Sequence, residues 1–177
     1  MQSQLKPSIP ASVNVNDIFT GSTCNITEKE KANMNKMMEN KNFLTFNRYR
    51  GSRDGWMKSD FHRKSDGIKP SISLFKTKMG MLIGGFTSAY WTSAARGDTT
   101  DSKAFLFNLS TDKKFIVRNT TSAIYCAGNY GPYFGSSSEL SAFSEPFNGE
   151  NNCWSYVNRS GYRIPVDSDG MTNMLTN

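Results

Sequence analysis

The segment from Ser71 to Thr87 constrains the fold more than any other. Ser71–Lys76 alternates polar and apolar residues, Lys78-Met79-Gly80 makes a turn, and Met81–Thr87 runs back. Period two on both sides of a glycine turn predicts an antiparallel hairpin. A hairpin buries one face only, so a chain built on it must supply further strands to cover that face. Those strands are legible downstream: Lys103–Leu109, Lys114–Val117, Ala123–Cys126 and Glu139–Phe143, separated by turn-forming residues such as Thr111-Asp112-Lys113 and the Gly128–Gly135 loop. Short strands with turns every eight to twelve residues predict a mainly β, α+β fold of sandwich type with a few helices.

Helices are predicted upstream. Thr27-Glu28-Lys29-Glu30 has the spacing of a capping box, with Thr27 as N-cap. Met34, Met37 and Met38 then form one apolar stripe, and the helix is expected to end near Asn40. Phe43–Tyr49 alternates and reads as a strand that ends in the turn-rich Gly51–Gly55. A short helix over Ser59–Lys64 follows, with Ser59 as N-cap and Met57 packing on Phe61. Ser88–Asp101 reads as a loop. Gly84-Gly85, inside the hairpin's second strand, is expected to mark a bulge or a close backbone approach. Met1–Ser22, with Pro7 and Pro10, reads as an extended arm, leaving 23–177 as the domain.

With 177 residues the chain is long enough to bury a core without staples. The three cysteines, Cys24, Cys126 and Cys153, have no C-x-x-C spacing and are expected to remain free thiols. That fits an intracellular, reducing compartment, the cytoplasm first and a cilium or mitochondrion as alternatives. The N-terminus has no signal-peptide core, and no stretch predicts membrane insertion. A net charge of +6 allows an acidic partner, but it is dispersed, the densest groups being Arg48, Arg50, Arg53 and Lys58, Arg63, Lys64. A dispersed charge is usually only a solvated surface, and it argues against nucleic acid.

Catalytic patterns are thin. His62 is the single histidine, and nothing in the sequence names a nucleophile for it. Asp54, Asp60 and Asp66 are an ordinary trio of carboxylates. No ligand spacing predicts a metal, no glycine pattern predicts a nucleotide, and no cofactor is expected. A thiol-dependent, peroxide-handling enzyme using Cys126 is the strongest catalytic alternative.

Several segments, taken in order, resemble the TLDc domain family. They are Tyr49-Arg50-Gly51-Ser52-Arg53-Asp54-Gly55-Trp56, Asp60-Phe61-His62, Ile83-Gly84-Gly85-Phe86-Thr87-Ser88 with Trp91, Asp101–Phe107, Ala123–Cys126, and Tyr130-Gly131-Pro132-Tyr133-Phe134-Gly135. The likeness covers Thr23 to the C-terminus and is greatest to TLDc proteins of ciliates and other protists. The resemblance implies two antiparallel sheets flanked by short helices. It also implies a non-catalytic interaction module that docks on a larger assembly, by precedent the vacuolar proton-pumping ATPase, or acts in protection against oxidative stress. A structural subunit of a ciliary, cytoskeletal or mitochondrial scaffold is the alternative. Arg50, Arg53 and His62 are expected to face the partner. Asp54, Gly55, Gly84, Gly85, Trp91, Phe105, Phe107 and Gly131 are read as structural, with Trp91 or a neighbouring loop lying against the bare backbone of the paired glycines and Phe105 and Phe107 filling the sandwich. The family usually carries one more strand after the segment resembling Asp169–Thr176, so the expectation is either that the chain is part of a longer polypeptide or that a sheet edge is open to a partner's strand.

Overall fold

The computed structural model describes residues 19, 21–39, 45–136, 139–144, 152–154 and 161–162. Two antiparallel sheets form the body. One has the order β1-β2-β4-β5, from β1 (Ser71–Lys76), β2 (Leu82–Thr87), β4 (Phe105–Asn108) and β5 (Lys113–Ile116). The other has the order β3-β6-β7-β8-β9, from β3 (Gly97–Thr99), β6 (Ile124–Cys126), β7 (Tyr133–Phe134), β8 (Leu140–Ser144) and β9 (Asn152–Trp154). Three helices flank them: α1 (Glu28–Met37), α2 (Gly51–Asp54) and α3 (Lys58–Ser65). This is the mainly β, two-sheet sandwich with short helices that the sequence predicts.

Alternation in β2 and β4 feeds two separate cores. Ile83, Leu106, Phe115, Ile124, Phe134 and Leu140 fill the space between the sheets, and Phe61 and Trp91 join them. Leu82, Phe105, Phe107 and Leu109 point the other way and pack with Met34, Met37 and Met38 of α1. Phe105 and Phe107 are therefore buried, but beneath helix α1 on the outer face of the first sheet. The sequence shows that they share a face; it does not show which face a helix covers.

Helix α1 is anchored as the capping box predicts. Thr27 Oγ1 accepts the Glu30 N–H at 3.2 Å, and Glu30 Oε2 accepts the Thr27 N–H at 2.9 Å. The other Glu30 oxygen accepts from Ser110 Oγ at 2.7 Å, tying the cap to the sheet. Asn33 donates to Leu109 O at 2.8 Å, and Lys114 Nζ to Met37 O at 2.6 Å.

Gly84-Gly85 is no bulge, because the β1–β2 register runs unbroken from Ser71↔Thr87 to Lys76↔Leu82. Each glycine instead lies under an aromatic ring. A Cβ on Gly84 would collide with Phe107 and the Ser73 carbonyl, and one on Gly85 with Phe134. Trp91, expected there, lies edge-on to Phe134 and Phe61 and donates its indole N–H to Ser71 Oγ at 3.0 Å.

Three more local expectations are corrected. Thr45–Tyr49, the described part of the expected Phe43–Tyr49 strand, is not in a sheet, and Phe46 is 74% exposed. The N-cap of α3 is Met57 rather than Ser59, with the Asp60 carboxylate accepting the Met57 N–H. Ser88–Asp101 contains β3. Most of the expected N-terminal arm and all of Asp169–Thr176 lie outside the described residues. Among the described residues no helix is long and apolar enough to cross a membrane.

Candidate functional site

Residues 48–63 build a tight joint between α2 and α3. Arg50 enters α2 in extended conformation, and the Asp54 carboxylate accepts its N–H at 2.8 Å. The same carboxylate takes both Arg53 donors, Nε at 2.9 Å and Nη2 at 2.6 Å. The Arg53 guanidinium and the Arg50 N–H hold Asp54 well below the usual carboxylate range. Gly55 ends α2 at φ 107°, a conformation that favours glycine. A Cβ there would collide with the Asp60 carboxylate. Tyr49 donates its hydroxyl to Gly55 O at 2.7 Å. Burial, with the charges of Asp60 and Asp54, pushes that phenol up to about 12, so it remains a donor at neutral pH. Within α3 Arg63 Nη2 donates to Asp60 at 3.1 Å, and across the joint it reaches Asp54 O at 3.4 Å.

Trp56 and Met57 sit at the tip of this joint, 50% and 61% exposed. The indole lies over Gly51, where a Cβ would overlap the ring. Met57 is mostly exposed, whereas Phe61, four residues on, is buried. Exposed Arg53 and Arg63 lie on either side in sequence, and the approach to the joint carries Phe46 with the Arg48 guanidinium 5.9 Å from its ring. Large apolar side chains usually retreat into a core; here a hydrogen-bonded scaffold holds two of them in water.

The residues expected to face a partner are placed differently from one another. Arg53 is exposed and paired with Asp54. Arg50 is half-buried, and its Nη1 reaches back to Gly21 O at 3.4 Å. His62 is only 7% exposed. Its ring lies edge-on to Phe61, with Nδ1 2.6 Å from Asp66 Oδ1 and Nε2 facing Tyr130 O at 2.7 Å and Ala127 O at 3.1 Å.

His62 and Asp66 line a shallow depression of about 320 Å³ with Ser59, Arg63, Ser93 and Gly128. A serine, a histidine and an aspartate meet here, but in an order unsuited to nucleophilic attack. Ser93 donates its hydroxyl to Asp66 Oδ2 at 2.6 Å and its N–H to the same oxygen at 2.8 Å. A serine nucleophile must hand its proton to the histidine, whose far nitrogen must face substrate. In this arrangement the far nitrogen faces two backbone carbonyls. Burial alone would raise the Asp66 pKa, yet the Ser93 and His62 bonds outweigh it and hold the carboxyl low. The cluster is a tie between α3, the Trp91 loop and the Ala127–Tyr130 loop.

A second carboxylate hub was invisible to the sequence reading. Asp101, 5% exposed, accepts from Thr87 Oγ1 at 2.7 Å, Ser88 N at 2.6 Å, Ser88 Oγ at 2.7 Å and Lys103 N at 2.9 Å. Gly131 donates its N–H to Ala142 O at 3.0 Å. Cys24 and Cys126 are free thiols, Cys24 half-buried and Cys126 only 3% exposed in the inter-sheet core, a poor position for a reacting thiolate. The side chain of Cys153 lies outside the description. Among the described residues no three His, Cys, Asp or Glu side chains gather in a way that could hold a metal ion.

Of the sequence-selected residues, Arg53, Asp54 and Gly55 converge on one joint, Arg50 at its edge; Gly84, Gly85, Trp91, Phe105 and Phe107 belong to the two cores. The sequence reading did not foresee the exposure of Trp56 and Met57. The curated proteins contain no match to the chain. The profile of the TLDc domain matches residues 19–174, which spans both sheets, the α2–α3 joint and helix α1, so the chain belongs to the TLDc domain family.

Proposed function

We propose that this chain is a docking module that works without catalysing a reaction, and that the α2–α3 joint is its contact surface. The observation that carries the reading is the exposure of Trp56 and Met57 beside arginines. Tryptophan and arginine dominate the energetics of protein interfaces, where an anchored side chain loses little entropy on binding. Exposed Arg48, Arg53, Arg63 and Lys64 would form a basic rim around the anchor and favour an acidic face on the partner, consistent with the net charge of +6. Membership of the TLDc family supports the class of activity. By that resemblance the host is a large assembly, with the vacuolar proton-pumping ATPase first, an oxidative-stress protection pathway second, and a ciliary, cytoskeletal or mitochondrial scaffold third. The host sets the compartment, for which the cytoplasm is our reading.

The test is co-purification from cells with identification by mass spectrometry, using the native chain and Trp56→Ala/Met57→Ala. We expect the double variant to fold and to lose the partners that the native chain retains. Hot-spot truncations of this kind weaken binding by roughly 2 kcal/mol or more, about 30-fold. An unchanged partner set with the double variant would remove the joint from the interface.

A further inference from the structure

Among the described residues, the hydrogen-bonding pattern of the first sheet leaves one edge open. Thr77 donates its N–H to Met81 O at 2.9 Å, and Leu109 donates to Leu82 O at 2.8 Å. In an antiparallel pair, residues alternate between those that exchange bonds with the neighbour and those that point away. The register then assigns every group in β1. Ser71, Ser73 and Phe75 bond to Thr87, Gly85 and Ile83 of β2, whereas Ile72, Leu74 and Lys76 direct their N–H and C=O groups outward. Among the described residues none of these outward groups has a partner. The strand is half-exposed along Ser71–Phe75 and exposed at Lys76.

Other edges are blunted in the ways that natural sheets use to prevent pairing. Strand β5 has four residues, two of them Lys113 and Lys114, and Val117 just beyond it bridges to Tyr162. Strands β3 and β9 have three residues each, and β3 contains Asp98. Strand β1 has six residues and no charge before Lys76. Among the described residues it is the longest edge and the least protected.

We propose that the β1 edge takes up an extended segment of another protein as an added strand. Bare main-chain groups at regular spacing fit an extended chain and no other backbone conformation. Side chains narrow the choice. Ile72 and Leu74 are half-buried against the helix-facing core beside Ile26, Cys24 and Phe86. An added strand therefore meets apolar neighbours at every second position on that face. Lys69 precedes the strand, Lys76 ends it and Lys78 follows in the turn. The occupant has alternating apolar residues flanked by acidic ones. A second copy of this chain is disfavoured, because pairing two β1 edges brings these lysines together and opposes two molecules of charge +6.

The experiment selects displayed random peptides on the folded full-length chain, then measures the selected peptides against variants. Leu74→Pro and Lys76→Pro each remove an outward N–H while leaving the β2 ladder intact. Lys76→Pro loses almost no packing, and a thermal melt checks that both variants fold. The expected result is enrichment of peptides with alternating apolar residues and flanking carboxylates. Their binding should fall about tenfold with Lys76→Pro, the value of one main-chain hydrogen bond with its charge partner. Added peptide should also slow amide exchange at Ile72, Leu74 and Lys76. Absence of enrichment, peptides indifferent to both proline variants, or self-association of the native chain that Leu74→Pro abolishes would each overturn the proposal. Trp56→Ala/Met57→Ala should capture the same peptides as the native chain, so failure at the joint and failure at the edge are read separately.

Discussion

Single carboxylates organise this domain, and Asp101 shows how. Burial would raise its pKa above the ordinary 3.8, but bonds from Thr87, Ser88 and the Lys103 N–H outweigh burial and hold it lower. A carboxylate depressed in the fold contributes stability that is present above its unfolded value and lost as the pH falls through its folded value. Asp66 follows the same sign from 3.8, as does Glu30 from 4.5, where burial again opposes the Ser110 and Thr27 bonds. Denaturant midpoints should thus be flat above about pH 5 and fall steadily below it. Asp101→Asn should flatten part of that acid slope. It turns an NH₂ group toward donors that need an acceptor, costing on the order of 3 kcal/mol at pH 7 for two lost charge-assisted bonds. An acid slope unchanged in Asp101→Asn would show that Asp101 is not one of its sources. The hub itself was not legible in advance: Thr87, Ser88, Asp101 and Lys103 lie in segments that resemble the family, but nothing in their spacing shows that the fold gathers them around one carboxylate.

At the level of elements, legibility followed locality. The capping box at Thr27 and the β1–β2 hairpin were readable because each is defined within a few residues. Strands β3 and β7 were not, since Gly97–Thr99 and Tyr133–Phe134 are too short to show a period and exist through pairing with β6. Phe43–Tyr49 has the period without the pairing, and its described part stays outside the sheets. The joint was half legible, its Asp-Gly turn visible but not the exposure of Trp56. For Gly84 and Gly85 the structure decides between opposite expectations. Replacing a strand glycine by alanine stabilises by about 0.4–1 kcal/mol through the unfolded chain where space allows. Here Phe107 and the Ser73 carbonyl leave no room at Gly84, and Phe134 leaves none at Gly85. Overpacking costs about 1–3 kcal/mol and wins. Gly84→Ala and Gly85→Ala should both lower the urea midpoint, Gly84→Ala more, because a carbonyl yields less than a ring. A stabilised Gly85→Ala would mean that Phe134 moves aside freely.

Across the whole molecule, one sheet is shared by two cores, and that decides how the domain unfolds. Leu106 points into the sandwich while Phe105 and Phe107, its immediate neighbours, pack under α1. A disturbance beneath the helix therefore acts on the same strand that closes the sandwich. Helix α1 is also bonded to the sheet at its start through Glu30–Ser110, in its middle through Asn33–Leu109 and at its end through Met37–Lys114. If it were an accessory, its loss would leave Leu82, Phe105, Phe107 and Leu109 in water, which no described element replaces. Burying such side chains is worth about 1.5–3 kcal/mol each, comparable in sum with the entire stability of a domain. The helix and both sheets should then unfold in one step. Met34, fully buried at the centre of the helix face, tests this. Met34→Ala should cost about 2–5 kcal/mol. Native-state amide exchange should show that loss equally in α1 and in β6, the strand farthest in kind from the helix because it belongs to the other sheet. If protection falls in Glu28–Met37 alone while Ile124–Cys126 is untouched, the helix opens independently, and the sandwich stands without it.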